Sequence, residues 1–251
     1  MTKAHDHAIG IDIGGTGMKA GIVDLRAGTM ASDRVRIPTP AGATPPDMLE
    51  VAKQLVEMLG EDAAGLPIGV CFPAIVKDGV TLSAANVSDD WIGLDADGLF
   101  GDALGRDIHF VNDADAAGLA ELKFGAAHGQ PGLTIVTTLG TGIGSAFLFD
   151  GKLVPNSELG HLEWKGDSIE KWASASARER EDISWEEWGG RLQEFYAHVE
   201  FLFSPDLLIV GGGVSKNPDK FLPYITTRAP LVTAEHRNNA GIIGAAGLVL
   251  T

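Results

Sequence analysis

Asp12-Ile13-Gly14-Gly15-Thr16-Gly17 stands between two apolar runs, Ala8 to Ile13 and Met18 to Val23, and Asp24 closes the second. Short apolar runs joined by a tight glycine turn read as a β-hairpin. The same construction returns at Thr138-Leu139-Gly140-Thr141-Gly142-Ile143-Gly144, between the runs Leu133 to Leu139 and Ser145 to Phe149, closed by Asp150 and Gly151. A period of about 125 residues is too long for a solenoid. It fits two similar lobes, each opening on a glycine-turned hairpin.

Working outward, Asp33 to Ile37 reads as a third strand. Asp47 to Leu59 puts Met48, Val51, Leu55 and Leu59 at helical spacing, with Asp47 as N-cap and Gly60 as stop. Ile68 to Phe72 is a buried strand ended by Pro73, and a short helix lies near Gly98 to Leu104. Strand Ile108 to Val111 gives way to a helix over Ala116 to Phe124, so Asn112-Asp113-Ala114-Asp115 falls at that junction. Ser184 to Phe203 is the clearest helix, opened by a Ser184/Glu187 capping-box pattern. Its stripe of Trp185, Trp188, Leu192, Phe195, Val199 and Leu202 is expected in the core, not at a dimer face. Leu207 to Val210 is a strand running into Gly211-Gly212-Gly213, and Gly241, Gly244 and Gly247 suit a closely packed last helix. The lobes are expected over residues 1–110 and 111–251, with the last helix packing back on the first lobe.

Composition narrows the function. The chain has 251 residues, 45% hydrophobic and 21% charged, the balance of a globular protein with a real core. Its 34 acids against 19 bases give a formal net charge of −15, which disfavours nucleic acid and anionic membranes as partners. The acids concentrate early: residues 1–150 hold 20 acids and 9 bases. The single cysteine, Cys71, allows neither an internal disulfide nor a thiolate zinc cluster. Met1 to His7 is polar, and no apolar run approaches the ~18 residues of a membrane span. A cytoplasmic setting is expected.

Five stretches carry candidate chemistry. In the first hairpin, backbone N–H groups of Gly14, Gly15 and Gly17, the Thr16 hydroxyl and the Lys19 ammonium can meet an anion. Asp12 can hold a hydrated Mg²⁺ through water. An ordinary hairpin turn is the plainer account. Gly140, Thr141 and Gly142 repeat the device, and their spacing before a strand disfavours a dinucleotide fold. Asp113 could accept a hydroxyl proton beside a helix N-terminus, although Asp113 or Asp115 could equally serve as an N-cap. Glu158 and His161, with Glu170, offer partners for vicinal hydroxyls. Gly211 to Gly213 are either a ligand-approach loop or a plain turn.

Together Asp12-Ile13-Gly14-Gly15-Thr16, Asn112-Asp113, Gly140-Thr141-Gly142-Ile143-Gly144, Glu158-Leu159-Gly160-His161 and Gly211-Gly212-Gly213-Val214 resemble the ROK sugar kinases in order and spacing. Within them, Ser83 to Gly93, Ser184-Trp185-Glu186-Glu187-Trp188 and Pro205 to Lys216 resemble the polyphosphate glucokinases. The resemblance implies an α/β fold: two-lobed, actin-like, a duplicated ribonuclease H-like unit with a cleft. It implies transfer of a terminal phosphoryl group from polyphosphate, and ATP, to the 6-hydroxyl of glucose, with Mg²⁺ carried by the donor phosphates. Asp113 is then the general base. Asn86, Asn112, Asp113, Glu158, His161 and Glu170 are the sugar ligands. Asp12, Gly14, Gly15, Thr16, Gly17, Lys19, Gly140, Thr141, Gly142 and Gly211 to Gly213 serve the donor. A homodimer is also implied. Most relatives bind zinc through a His and three cysteines ending in C-x-E. Here Lys165 to Glu170 occupy that place without cysteine, so zinc is not expected, while Glu170 persists. An ATP-only hexose, mannose or N-acetylhexosamine kinase, and a non-catalytic sugar sensor, remain the alternatives.

Overall fold

The first glycine stretch forms the expected hairpin. In a computed structural model, which describes residues 6–84 and 87–250, β1 (His7–Gly14) and β2 (Gly17–Asp24) pair antiparallel from His7↔Asp24 to Gly14↔Gly17. Gly15 and Thr16 make the two-residue tip. The short strands β3 (Thr29–Met30) and β4 (Val35–Ile37) both pair with β2. Helix α1 (Pro45–Met58) follows, then β5 (Ile68–Phe72), the two-residue strands β6 (Val76–Lys77) and β7 (Val80–Thr81), helix α2 (Ala96–Leu104), β8 (Ile108–Asn112) and helix α3 (Asp113–Phe124). The sheet runs β3-β2-β1-β5-β8, and its last three strands are parallel.

Two helix starts differ from the sequence expectation. The α1 cap is Thr44, whose hydroxyl accepts from the Asp47 amide and donates to its carboxylate at 2.7 Å. Pro45 and Pro46 fit the first turn because they lack the N–H groups that a helix start leaves unpaired. Helix α3 begins at Asp113 because Asn112 Oδ1 accepts from the Ala114 and Asp115 amides, at 2.9 and 3.2 Å. The N-cap role weighed for Asp113 or Asp115 therefore falls to Asn112.

Below this sheet the chain buries Ile9, Ile11, Ile13, Met48, Leu55 and the aromatic group Phe72, Trp91, Phe100 and Phe110. Such rings carry a large share of core burial. Trp91, in the Asp- and Gly-rich region, is fully buried, and its indole donates to the Ala43 carbonyl.

The second half repeats the plan. Strands β9 (Leu133–Leu139), β10 (Ile143–Phe149) and β11 (Lys152–Val154) form an antiparallel run. There follow the small hairpin β12 (Glu163–Trp164) and β13 (Asp167–Ser168), helices α4 (Glu170–Ala173), α5 (Ala175–Glu181) and α6 (Trp185–Phe203), and strands β14 (Leu207–Gly211) and β15 (Leu231–Thr233). The order is β11-β10-β9-β14-β15, with β9, β14 and β15 parallel. Helix α6 is capped by Ser184 and buries Trp188, Leu192, Phe195 and Val199 in the core. Leu202 departs from the expected stripe: Tyr196 and Glu200 take the buried side and leave it 46% exposed.

The final helix, α7 (Ala240–Gly247), packs on the first sheet. A Cβ at Gly10 would lie 1.9 Å from the Ile242 carbonyl oxygen, and one at Gly244 1.7 Å from that of Ala116. The backbones touch where those residues have no side chain, which explains Gly244 in α7 and Gly10 in β1. The chain accordingly divides into Met1–Lys123 with Asn239–Thr251 and Phe124–Asn238. Helix α3 thus stays with the first unit, beyond the boundary expected at residue 110. Among the described residues, no helix is long and apolar enough to cross a membrane.

Candidate functional site

Parallel strands leave their carboxyl ends on one edge, where α/β proteins place ligands. In the first unit Asp12 on β1 is paired in register with Cys71 on β5, and Asp113 follows β8 directly. Asp12 Oδ2 accepts from Lys19 Nζ at 2.8 Å across the hairpin. Its Oδ1 lies 3.7 Å from Cys71 Sγ. Burial above all, and then the charges of Asp12 and Asp113, push the Cys71 thiol well up. Cys71 is thus a neutral floor between two carboxylates. A Cβ at Gly241, in the first turn of α7, would lie 3.0 Å from Asp12 Cγ. The amino end of α7 therefore faces this carboxylate.

Asn112 is buried and heavily committed. Besides capping α3, its Nδ2 donates to the Ala74 carbonyl at 3.1 Å. One Nδ2 hydrogen is left for a ligand. Asp113 itself is exposed in the first turn of α3, where the helix dipole stabilises an anion. The hairpin tip beside it is held from outside: Arg36 Nη2 donates to the Thr16 carbonyl at 3.0 Å and the Thr39 hydroxyl to that of Gly14. With its carbonyls bound, the tip presents the exposed Gly15 and the Thr16 hydroxyl. Asn86 lies outside the described residues.

In the second unit the tip is Gly140-Thr141-Gly142. The Gly140 amide donates to the Gly142 carbonyl at 3.0 Å, so it is spent. Ser176, at the start of α5, donates its amide to the Gly140 carbonyl and its hydroxyl to the Thr141 carbonyl. The amides of Thr141 and Gly142 are left for an anion. Glu170 ties this tip to the Glu158–His161 turn. Its Oε2 accepts from the Ile143 amide at 3.0 Å. A Cβ at Gly142 would fall 2.3 Å from that oxygen, and one at Gly160 2.9 Å from it and 2.3 Å from the Ile143 carbonyl oxygen. Glu158 is half-buried. Burial raises its pKa, the Glu170 charge adds to the rise, and His161 opposes it from 3.9 Å. His161 is exposed.

Ser145 donates to the Ser157 carbonyl and accepts from the Leu159 amide, fixing the turn that carries Glu158. No sequence signal singled out Ser145, Ser176, Arg36 or Thr39, because each acts through a backbone carbonyl or amide. On either side of Lys165 to Glu170, Trp164 and Trp172 stack 6.0 Å apart, and Lys165 Nζ lies 4.1 Å from the Trp172 ring centre. This cluster braces the segment leading into Glu170. Gly211 to Gly213 end β14. A Cβ at Gly212 would meet the Leu139 carbonyl oxygen at 2.3 Å, so this glycine serves packing, while Gly213 is exposed in open space.

The Asp12 carboxylate is itself an oxygen donor of the kind that suits Mg²⁺. With one oxygen of Asp12 on Lys19, that carboxylate fits a hydrated ion carried by phosphates. Among the described residues no cluster of three or more His, Cys, Asp or Glu could hold a metal ion.

The ROK family model matches residues 8–173. The polyphosphate glucokinase of Mycobacterium tuberculosis is 44% identical over 241 residues, 96% of this chain and 90% of that protein. The crystal structure of inorganic polyphosphate/ATP-glucomannokinase from Arthrobacter sp. strain KM is 52% identical, with a TM-score of 0.93 over 98% of this chain and 100% of that one. A Streptomyces griseus ROK family glucokinase, solved with glucose and AMPPNP, is 25% identical, with a TM-score of 0.80 over 96% of this chain and 98% of that one.

Proposed function

The chain belongs to the ROK family, and from that premise we propose that it transfers the terminal phosphoryl group of inorganic polyphosphate, and of ATP, to the 6-hydroxyl of glucose. The observation that carries this reading is Asp113: an exposed carboxylate at the carboxyl end of a parallel strand, in the first turn of α3, on the edge that also carries Asp12. A carboxylate so placed is within reach of solvent and substrate and can serve as a general base.

The glucose O6 attacks the terminal phosphorus, and a new O–P bond forms as the bond to the rest of the donor breaks. The hydroxyl proton passes to Asp113, and the products are glucose 6-phosphate and ADP or a polyphosphate one unit shorter. The base acts late, so positioning and charge neutralisation carry most of the rate. Glu158, Glu170 and the remaining Nδ2 hydrogen of Asn112 supply acceptors and a donor for sugar hydroxyls. In the first unit the hairpin tip and Lys19 offer donors suited to phosphate oxygens, and in the second the Thr141 and Gly142 amides do the same. Mg²⁺, bound to the donor phosphates and to Asp12 through water, would offset their charge.

A coupled assay for glucose 6-phosphate, with Mg²⁺ and glucose, tests this reading with ATP and with long-chain polyphosphate in turn. Product from both is expected. Product from ATP alone would reduce the reading to an ATP-only sugar kinase, and product from neither would leave a sugar-sensing protein.

A further inference from the structure

A long polyanion bound to a chain of charge −15 needs a local run of cations beyond the atoms that grip its reacting end. The edge strand β4 and the residue before it supply two such cations beside Lys19. Arg36 is the register partner of Lys19, so the two side chains leave the same face of the sheet, as does Asp12 in the next strand. The Arg36 guanidinium lies flat along Gly17, where a Cβ would come within 2.6 Å of it, and spends one hydrogen on the Thr16 carbonyl. Its other donors remain. Arg34 lies two residues back, just before the first residue of β4, and is exposed. Its Nη1 lies 3.5 Å from the Asn239 amide oxygen, a neutral partner.

Lys19, Arg34 and Arg36 are three of the nine bases in residues 1–150; Lys19 and Arg36 face each other on adjacent strands, and Arg34 stands just before the second of these. Both arginines are exposed, and among the described residues neither is paired with a carboxylate. Lys19, Arg26 and Lys53 are, whereas Lys77, Arg106 and Lys123 share the arginines' lack of such a pair but are not register partners of Lys19. A guanidinium recognises a phosphate through paired N–H groups and stays charged at any working pH.

We propose that Arg36 and Arg34 form a landing strip for the internal phosphates of a long polyphosphate, continuing outward from the hairpin tip and Lys19. The proposal rests on the polyphosphate reading above and extends it to the part of the donor that does not react. Longer chains reach more of the strip, so KM for the donor falls with chain length.

The test compares KM for tripolyphosphate with KM for polyphosphate of about a hundred units, in wild type, Arg34→Gln, Arg34→Gln/Arg36→Gln and Arg34→Lys. One exposed ionic contact is worth up to several-fold in affinity. We expect Arg34→Gln to raise KM for the long chain about threefold and the double variant about tenfold. Tripolyphosphate should change much less, Arg34→Lys should keep most of the long-chain preference, and added salt should erode it. Equal losses for short and long chains would mean that Arg36 only braces the tip, and would overturn the strip. So would an unchanged ratio of the two constants in a wild type that uses long polyphosphate. A wild type that uses no polyphosphate at all would instead overturn the parent reading, and the strip with it.

Discussion

The two glycine hairpins open sheets of the same order and are secured in opposite ways. In the first, cations hold the structure: Lys19 pairs with Asp12 across the hairpin, and Arg36 grips the Thr16 carbonyl. In the second, the carbonyls of the tip are held by the neutral Ser176, and the cross-link at its base is a carboxylate, Glu170 on the Ile143 amide. The first hairpin offers phosphate a cation as well as its tip, whereas the second offers phosphate only its tip amides and is backed by Glu170 and Glu158, which suit hydroxyl groups. The duplicated plan thus supports two chemistries through side chains that lie outside the repeated motif.

The sharpest way to break this division is to remove the base. Asp113→Asn keeps shape and a hydrogen-bonding group but cannot take a proton. It should lower kcat by at least ~10²-fold with KM for glucose little changed, within the usual span for loss of a general base. Steady-state kinetics decide it, and near-normal turnover would remove Asp113 from that role.

The second test sets glycine against glycine. At Gly160 a Cβ would meet the Ile143 backbone oxygen at 2.3 Å, whereas at Gly14 it would meet the Gly17 carbonyl oxygen at 3.2 Å. Gly160→Ala should therefore cost about 1–3 kcal/mol, as overpacking does, and displace Glu170 as well. Gly14→Ala should cost less than half of that. Thermal melts give the ranking, and equal costs would show that the second hairpin is no more tightly tied than the first.

Much of this was legible in the sequence. The repeat of glycine hairpin and closing aspartate announced two similar sheets, and Ile68 to Phe72 and Ser184 to Phe203 fell where their patterns placed them. The start of α3 was not legible, because the cap is a side-chain choice: Asn112, Asp113 and Asp115 can all cap, and only the fold shows which amides Asn112 reaches. The Leu202 departure has a similar origin, since helical spacing marks a stripe and the neighbouring elements decide its edge. In the site, charged and glycine residues stood out by type. The serine and threonine ties were hidden because they meet carbonyls far away in sequence.

Those ties allow a third, smaller test of the division. Thr39→Val frees the Gly14 carbonyl of the first tip, and Ser176→Ala frees the Thr141 carbonyl of the second. Thr39→Val removes one hydrogen bond, and Ser176→Ala removes that to Thr141 and a 3.2 Å one shared with Ser174 Oγ; each is worth about 1 kcal/mol, or roughly fivefold. Thr39→Val is expected to raise KM for the donor and leave KM for glucose nearly unchanged, while Ser176→Ala should disturb both because its tip also touches Glu170. Identical patterns in the two variants would collapse the distinction between the hairpins.

The smallest effect is the pH dependence of glucose binding, and it comes from the second unit alone. Burial holds the Glu158 pKa above the ordinary value of a glutamate, with the Glu170 charge adding and His161 subtracting. The folded state therefore takes up this proton at a higher pH than the unfolded chain does. A carboxyl raised in this way favours the folded state below its ordinary value, and that advantage is lost as pH rises through the folded value. Sugar binding runs in the opposite direction, because the ionised form is the better acceptor for hydroxyl groups. As pH falls from neutrality, KM for glucose should climb earlier than an ordinary glutamate would make it climb. Glu158→Gln should raise KM at neutral pH, flatten that climb and melt slightly higher. The two readouts move in opposite directions only if one buried carboxylate both strains the fold and binds the sugar. A Glu158→Gln variant with the wild-type pH profile would place the titrating group elsewhere.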